Sequence, residues 1–272
     1  QGLHRMEYRG YDSAGIALHQ QDSILLLRSL GKVSKLEDQV VVKKPNATMG
    51  IAHTRWATHG VPSVENAHPH ESKNSIYIVH NGIIENYLEL KNSLQQAGYI
   101  FTSETDSEVI AHLLELYIGQ GNSLLDAMYL TKDRLEGAYS IAAIHSKDKD
   151  SLVVTCKYSP LLIGIGKDQY FAASDPLALS GATNEFIFLD NDDVAKLSSK
   201  YVEIFDKNKN KVQRELTHID VSLEASSKSG YRHYMEKEIY EQPEAASRTL
   251  EGRIASDDVL DNIYGIGSSE AF

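Results

Sequence analysis

Short runs of apolar residues, separated by polar turns, follow one another along most of this chain. Four runs in the first third predict strands, at 15–19, 23–30, 48–53 and 76–79. A second series predicts strands at 139–145, 152–157, 161–165, 170–173, 185–189, 195–198 and 201–205. Clusters of Asp, Asn, Gly and Lys, which are typical of hairpin turns, separate these later runs. Such closely spaced strands favour antiparallel sheets, because parallel strands need longer crossovers.

Helical spacing replaces this pattern in the middle of the chain. It predicts helices at 87–97, 106–118 and 124–135, and the second has the broadest apolar stripe. Thr105 and Glu108 stand at capping-box spacing at the start of that helix. Helices grouped in mid-chain have to cover the outer faces of the sheets, so the sequence predicts an α+β layered sandwich.

The character of the chain changes after about Leu216. Residues 217–230 are polar and Ser-rich, which predicts a linker. Pro243 then fits the first turn of a further helix that runs to about Glu251. We therefore predict one domain over 1–216, a linker over 217–230, and the start of another domain over 231–272.

Composition excludes several classes of function. The chain of 272 residues has a formal net charge of −11, which disfavours binding to nucleic acid. Its apolar runs are too short to span a bilayer, and we expect neither a secretion leader nor a membrane contact. Cys156 is the single cysteine, which fits a reducing cytoplasm, and its apolar surroundings in sequence predict a core residue rather than a nucleophile.

Four polar segments stand where predicted strands end or helices begin, at 7–15, 54–60, 80–82 and 103–106. Hydrolysis of an amide needs a nucleophile, a base, donors for the oxyanion and groups that hold the substrate. Arg55 can hold a carboxylate through two parallel hydrogen bonds. A surface arginine with a solvated side chain is the plain alternative.

Two further segments each carry a structural alternative. Asn81-Gly82 after an apolar run is the strongest short-range hairpin signal, although the residues that follow lead into a helix. Asp106, in the first predicted helical turn, is favoured there by the helix dipole alone. A turn and a helix start are also rigid places from which to present functional groups.

Histidines crowd one third of the chain, at His53, His59, His68, His70 and His80. Imidazole is a common metal ligand, so the crowding suggests a metal site. The spacing follows no helical metal motif, and acidic and thiol partners are poorly placed. We predict no metal site and no cofactor.

Taken together, the four segments resemble the glutamine-hydrolysing domain of the glucosamine-6-phosphate synthase family. Related amidotransferases share the Arg…Asn-Gly…Asp order, but the forms Tyr-Arg-Gly-Tyr-Asp-Ser and Thr-Arg-Trp-Ala-Thr-His-Gly point to this family. Because no long insertion separates Leu197 from Arg232, the chain is more similar to bacterial members. The resemblance implies the four-layer αββα sandwich of the N-terminal-nucleophile hydrolases.

The resemblance also implies roles for individual residues. Asn81 and Gly82 would form the oxyanion hole, and the substrate would be bound by Arg55, Thr58, His59 and Asp106. Residues expected near the site are Arg9, Tyr11, Trp56 and His68. In the family the Trp56 position is implicated in gating an ammonia outlet, whereas from the residue alone a large core aromatic is an equal alternative.

The implied reaction converts L-glutamine to L-glutamate and ammonia, which a sugar-isomerase domain of the same polypeptide uses to turn fructose 6-phosphate into glucosamine 6-phosphate for hexosamine synthesis. We expect a cytoplasmic homo-oligomer. Family members begin with Cys-Gly-Ile-Val-Gly and use that cysteine as nucleophile, whereas this numbering begins at Gln1. Either that segment exists ahead of Gln1, which we favour, or the domain is a silent glutamine- or glutamate-binding module. A histidine-based metallohydrolase is the remaining, remote alternative.

Overall fold

The computed structural model describes residues 1–20, 23–57, 59–220, 231–250, 254–255 and 258–259. Contacts between residues divide the chain into two units, Gln1–Leu223 and Glu224–Phe272. None of the helices in the described part of the chain combines the length and apolar character needed to cross a bilayer.

The first unit contains most of the regular structure. Its strands are β1 (Ser13–Gln20), β2 (Ser23–Leu30), β3 (Gly50–Arg55), β4 (His70–Ser72), β5 (Ile76–Ile84), β6 (Gly137–His145), β7 (Leu152–Lys157), β8 (Leu162–Gly166), β9 (Gln169–Ala173), β10 (Glu185–Phe188), β11 (Val194–Leu197), β12 (Val202–Phe205), β13 (Lys211–Val212) and β14 (Leu216–His218). Its helices are α1 (Gly2–Met6), α2 (Val33–Lys43), α3 (Tyr87–Gln96), α4 (Glu108–Gly119) and α5 (Leu124–Lys132), with single 3₁₀ turns at Glu7–Arg9 and Pro176–Leu179.

Three sheets form the inner layers of this unit. One has the order β2-β1-β3, one the order β13-β12-β11-β7-β6-β5-β4, and one the order β14-β10-β8-β9. The ladders between these strands are antiparallel, as predicted from the short turns. Ala17 and Ile51 of the first sheet pack against Tyr77 and Ile144 of the seven-stranded sheet. These contacts place two sheets face to face.

Helices cover the outer faces. Val33 and Leu36 of α2 pack on Ala14 and Leu27 of the three-stranded sheet. On the other side, α3, α4 and α5 bury a large apolar cluster against β5, β6 and β7, to which Ile110, Leu113, Leu114 and Met128 contribute. The arrangement is the predicted α+β sandwich with layers in the order helix, sheet, sheet, helix, and the prediction of the fold is confirmed.

Several local predictions were wrong or incomplete. Helix α2 was missed, because the run Val40-Val41-Val42 is β-branched and lacks the apolar face of a well-buried helix; Val41 and Val42 are exposed. Strand β5 runs to Ile84 rather than stopping at Val79. The domain boundary stays a prediction: β14 includes Thr217 and His218, and 221–230 lies outside the described residues.

The second unit contains helix α6 (Tyr234–Leu250) and the short strands β15 (Ile254–Ala255) and β16 (Asp258–Val259), which pair antiparallel. The predicted helix start at Pro243 is wrong, because Pro243 lies inside α6. Its ring removes one backbone donor from the helix interior, which α6 tolerates. Residues 260–272 lie outside the described part of the chain.

Candidate active site

One cavity of about 990 Å³ brings together residues from all four polar segments. It lies where β3 and β5 end and where α4 is about to begin. The sequence-predicted residues that line it are Arg9, Arg55, Trp56, His59, His68, Asn81, Gly82 and Asp106. Tyr11 is not among the lining residues, and Thr58 lies outside the described residues.

Asn81 and Gly82 lie inside β5, not in a hairpin turn, so the hairpin alternative is wrong. Asn81 is opposite Ser140 and Gly82 is opposite Tyr139 of β6. Gly82 has φ of 124°, and a Cβ atom there would come within 2.0 Å of the Ala138 carbonyl oxygen. Glycine is therefore required by both the backbone conformation and the close approach of β6.

The side-chain amide of Asn81 is held from behind by His53. His53 Nε2 lies 2.7 Å from Asn81 Oδ1, and the residue is half-buried, with its Nδ1 atom shielded from solvent. Burial lowers the pKa of His53 to about 4, although the hydrogen bond to Asn81 opposes the shift. The ring is therefore neutral at physiological pH.

Arg55 ends β3 and is almost completely buried, with 4% of its surface exposed. The alternative of a solvated surface arginine is therefore wrong. Its Nη1 lies 3.4 Å from Asp12 Oδ1, and its Nη2 donates to the carbonyl oxygens of His59 and Gly60. These bonds between described residues use three of the five guanidinium hydrogens. Arg55 thus fixes the chain after β3, and the residue also lines the cavity.

Asp106 is equally buried, at 3% exposure, and stands just ahead of α4. Its Oδ2 accepts a 2.8 Å hydrogen bond from the backbone N–H of Ile84 in β5. Its Oδ1 lies 3.4 Å from Ser107 Oγ and 4.0 Å from His59 Nδ1. One carboxylate oxygen is therefore fastened to a strand, while the residue lines the cavity.

The predicted capping box is wrong. Helix α4 begins at Glu108, and its carboxylate accepts hydrogen bonds from the backbone N–H groups of Thr102 and Ser103. Burial opposes ionisation of Glu108, but His112 and the donors of Thr102 and Ser103 outweigh it and lower the pKa of the carboxyl. Glu108 thereby holds the loop that presents Asp106.

We name a group of four residues the histidine cluster: His53, His68 and His80, which line the cavity, and His70, which does not. The ring centroids of His53 and His68 are 4.2 Å apart, and those of His68 and His70 are 4.5 Å apart. Burial is the largest cause that lowers the pKa of each imidazole. Ser107 Oγ bonds His80 Nδ1 at 2.8 Å, and Thr105 Oγ1 bonds His70 Nε2 at 3.1 Å. Among the described residues, His, Cys, Asp and Glu form no group of three suited to a metal ion.

Trp56 lies at the rim of the cavity. It is 67% exposed, so the alternative of a core aromatic is wrong. Its ring covers Gly10, where an added Cβ would come within 2.0 Å of Trp56 Cε3. Gly10 has φ of 94°, which is the left-handed side that favours glycine. The contact joins the loop after β3 to the 3₁₀ turn that carries Arg9.

The single cysteine lies elsewhere. Cys156 is buried in β7 among the residues between the seven- and four-stranded sheets. Burial raises the pKa of its thiol to about 12, with nearby Asp193 adding to the shift. A thiol that stays protonated is a poor nucleophile. The interpretation of Cys156 as a core residue is supported by its position.

Sequence reasoning missed two residues of this site. Asp12 was not among the predicted site residues, yet it is the acidic partner of Arg55. His53 was counted only in the histidine crowd, yet it holds Asn81. His53 stands two residues before Arg55 on β3, so the two side chains share a face of that strand. This spacing was the one signal that could have linked His53 to the site.

Comparisons with known proteins agree with this geometry. Residues 53–181 match a family model described as a glutamine amidotransferase domain. The chain is 48% identical over 270 residues to glutamine–fructose-6-phosphate aminotransferase (isomerizing) of Shewanella oneidensis, covering 99% of this chain and 44% of that protein. It is 47% identical to the protein of the same name from Haemophilus influenzae, covering 98% of this chain and 44% of the relative. The chain therefore spans less than half the length of these curated relatives.

Solved structures show the same fold. The glutamine phosphoribosylpyrophosphate amidotransferase of B. subtilis superposes with a TM-score of 0.66 at 25% identity, covering 77% of this chain and 46% of that one. The sequence match over nearly the whole chain, the family model across β3 to β9 and the shared fold all agree. Residues 53–181 therefore match the glutamine amidotransferase domain family, and nearly the whole chain is similar in sequence to part of the isomerising glutamine–fructose-6-phosphate aminotransferases.

Proposed function

We propose that this domain binds L-glutamine and hydrolyses its side-chain amide to L-glutamate and ammonia. The observation that carries the proposal is that a buried arginine, a buried carboxylate and an Asn-Gly pair from three separate elements line one cavity. Free glutamine has one carboxylate, one ammonium group and one amide. The arginine can bind the carboxylate, the aspartate can bind the ammonium group, and the Asn-Gly pair can donate hydrogen bonds to the amide oxygen.

Each group has a role in the proposed reaction. Arg55 holds the α-carboxylate, with help from Thr58 and His59, and Asp106 holds the α-ammonium group. The amide carbonyl lies against Asn81 Nδ2 and the backbone N–H of Gly82. When a nucleophile adds to the amide carbon, negative charge develops on the carbonyl oxygen, and these two donors stabilise it. Arg9, Tyr11, Trp56 and His68 shape the surroundings.

The nucleophile is proposed to be a cysteine ahead of Gln1, as in the family that the sequence resembles. Gln1, Gly2 and Leu3 line the same cavity as Asn81, so the chain enters the site at that end. Cys156 is unsuited, because it is buried in β7 with a raised pKa. Attack by the thiolate would form a thioester and release ammonia, and water would then release glutamate.

The relatives suggest the setting of this reaction. They are named for the transfer of glutamine nitrogen to fructose 6-phosphate, and they are more than twice as long as this chain. We propose that residues 217–230 link the domain 1–216 to a sugar-isomerase domain that begins within 231–272. That domain would use the ammonia to form glucosamine 6-phosphate in a cytoplasmic homo-oligomer.

Calorimetric titration with L-glutamate tests the binding half of the proposal. Arg55→Ala should weaken binding by about 2–4 kcal/mol, because the partner carboxylate loses its charged contact in a desolvated site. Arg214→Ala is the matched control, since Arg214 also forms an ion pair with a buried aspartate, Asp193, but lies outside the cavity. Unchanged affinity in a folded Arg55→Ala protein would contradict the assignment of Arg55.

Turnover separates the enzyme from a silent binding module. The complete natural polypeptide, with its N-terminus sequenced, should release glutamate and ammonia from glutamine in equal amounts. A protein that binds glutamate, begins with cysteine and releases no ammonia would favour the binding module instead.

A further inference from the structure

We propose that His53 is a positioning residue that sets the orientation of the Asn81 amide in the oxyanion hole. This inference rests on the proposed function, because the orientation matters only if an oxyanion forms. His53 itself does not touch the substrate; it acts through Asn81.

The first step concerns what an asparagine must do here. Its amide has an oxygen at one end and two N–H donors at the other, and the two ends have nearly the same shape. Only the nitrogen end can stabilise negative charge. A flipped Asn81 would direct a partial negative charge at the developing oxyanion, so something must fix which end faces the cavity.

His53 supplies that distinction. Its Nε2 is 2.7 Å from Asn81 Oδ1, and the ring lies on β3 while Asn81 lies on the facing strand β5. If Nε2 carries the hydrogen, it donates to the amide oxygen and leaves both Nδ2 hydrogens available to the cavity. The bond joins the two sheets across the site.

The second step is to identify which ring nitrogen of His53 carries the hydrogen. A neutral imidazole carries one N–H, so the other nitrogen is an acceptor. His53 Nδ1 is buried without a hydrogen-bond partner. Buried N–H groups without partners are rarer than buried acceptors without partners, so the hydrogen belongs on Nε2.

The third step is that His53 keeps this state across the working range of pH. Protonation would add a donor at Nδ1, an atom that makes no hydrogen bond in this structure. Burial lowers the pKa of His53 to about 4 and Arg55 adds to the shift, whereas the Asn81 amide, the His80 backbone carbonyl and Asp12 oppose it without reversing it. The ring is thus neutral at physiological pH and remains a donor there.

Substitutions of His53 test the proposal in the complete natural polypeptide. His53→Phe keeps a ring but removes the donor, and kcat for glutamine hydrolysis should fall about 10²-fold, the effect of losing one oxyanion-hole donor. KM should change little, because Arg55 and Asp106 remain. His53→Gln restores an N–H near the Nε2 position and should recover most of kcat.

The matched control is His19→Phe. Like His53, His19 makes one hydrogen bond through Nε2, in this case to the Ser146 carbonyl oxygen. It is buried on β1 of the same sheet, outside the cavity. This variant should keep wild-type kcat. Equal losses in His53→Phe and His53→Gln, or a change confined to KM, would overturn the proposal.

A spectroscopic measurement keeps the proposal testable even if His53→Phe does not fold. Long-range ¹H–¹⁵N correlation spectra of the wild-type protein, with ¹⁵N-labelled histidine, report which ring nitrogen carries the hydrogen. The Nε2–H form of His53 is expected, and an Nδ1–H form would overturn the proposal. This readout needs no turnover, so an inactive protein with an Nε2–H His53 would count against the proposed function alone.

Discussion

Two regions meet along strand β5, and different kinds of interaction hold each of them together. The first, which we name the helical core, comprises the apolar side chains packed between α3, α4, α5 and strands β5 and β6. The second is the histidine cluster, in which the buried His68, His70 and His80 and the half-buried His53 lie beside Ser107 and Thr105. Apolar packing holds the helical core, whereas hydrogen bonds and ring contacts hold the histidine cluster.

The difference teaches what each region can tolerate. Apolar packing has no direction, so a substitution in the helical core costs free energy in proportion to the atoms removed. The histidine cluster depends on which nitrogen carries a hydrogen and on every ring remaining neutral. Its stability therefore depends on pH, and its geometry determines how the site is oriented.

The largest loss in the free energy of unfolding is expected from Gly82→Ala, at a residue that lines the cavity. The added methyl group would come within 2.0 Å of the Ala138 oxygen at a φ of 124°. We expect a loss of about 4 kcal/mol in the free energy of unfolding, or failure to fold, because β5 and β6 must separate. Urea denaturation measures this.

Gly98→Ala is the control for that experiment. Gly98, just after α3, has a φ of 87° but no atom within 4 Å of the added Cβ. It carries the backbone strain without the collision and should lose only about 1–2 kcal/mol. Equal losses in the two variants would show that strain, rather than the approach of β6, explains Gly82.

The next largest loss in the free energy of unfolding is expected from a substitution in the helical core. Leu114 of α4 is fully buried, and Leu114→Ala should lower the free energy of unfolding by about 3 kcal/mol through lost burial and a cavity. The loss should be the same at pH 7 and at pH 5. A loss that grew as the pH fell would mean that the helical core and the histidine cluster are not independent.

The histidine cluster should give the protein a steep response to acid. Each of its imidazoles has a pKa below the unfolded value of 6.5, so the unfolded chain binds more protons than the folded one below that pH. Stability is complete above pH 6.5 and falls as the pH drops below it. Each histidine should contribute a slope of about 1.4 kcal/mol per pH unit.

His68→Phe isolates one member of the cluster. Removing this imidazole should reduce the slope between pH 6 and pH 5 by about 1.4 kcal/mol per pH unit. Denaturation curves at several pH values measure the slope, with Leu114→Ala as the control that leaves it unchanged. An identical slope in His68→Phe would contradict the neutral buried state of this ring.

The smallest loss in the free energy of unfolding is expected from removing the N-cap hydrogen bond of α5. Ser123 Oγ caps α5 by accepting from the Asp126 N–H at 3.1 Å, near the surface. Ser123→Ala should lower the free energy of unfolding by about 1 kcal/mol, with no pH dependence between 5 and 7. Thermal unfolding checks it, and a loss as large as that of Leu114→Ala would show that α5 depends on its cap more than on packing.

The sequence predicted the helical core far better than the site. Apolar periodicity gave the strand at 152–157 with its observed bounds and placed the helix that became α4 within two residues. Such periodicity is a local signal, because one face of an element reports its own burial. The exposed valines of α2 lacked that signal, and the helix was missed.

The site depends on contacts that are distant in sequence. Asn81-Gly82 was compatible with a hairpin because its real partner strand, β6, comes more than fifty residues later. The pairing of Asp12 with Arg55, and of His53 with Asn81, likewise requires strands to be assembled first. The residue types indicated the chemistry, whereas their partners could be known only from the fold.

The bond between Asp106 and the Ile84 N–H has an evolutionary consequence. One carboxylate oxygen of Asp106 accepts a hydrogen bond from β5, and this bond joins the segment before α4 to that strand. Selection for folding alone is therefore enough to retain Asp106. A descendant that had abandoned amide chemistry would still keep this aspartate. Its presence in a related sequence is therefore weak evidence of an active enzyme, whereas a donor at position 53 facing Asn81 has a closer link to catalysis under the proposal made above.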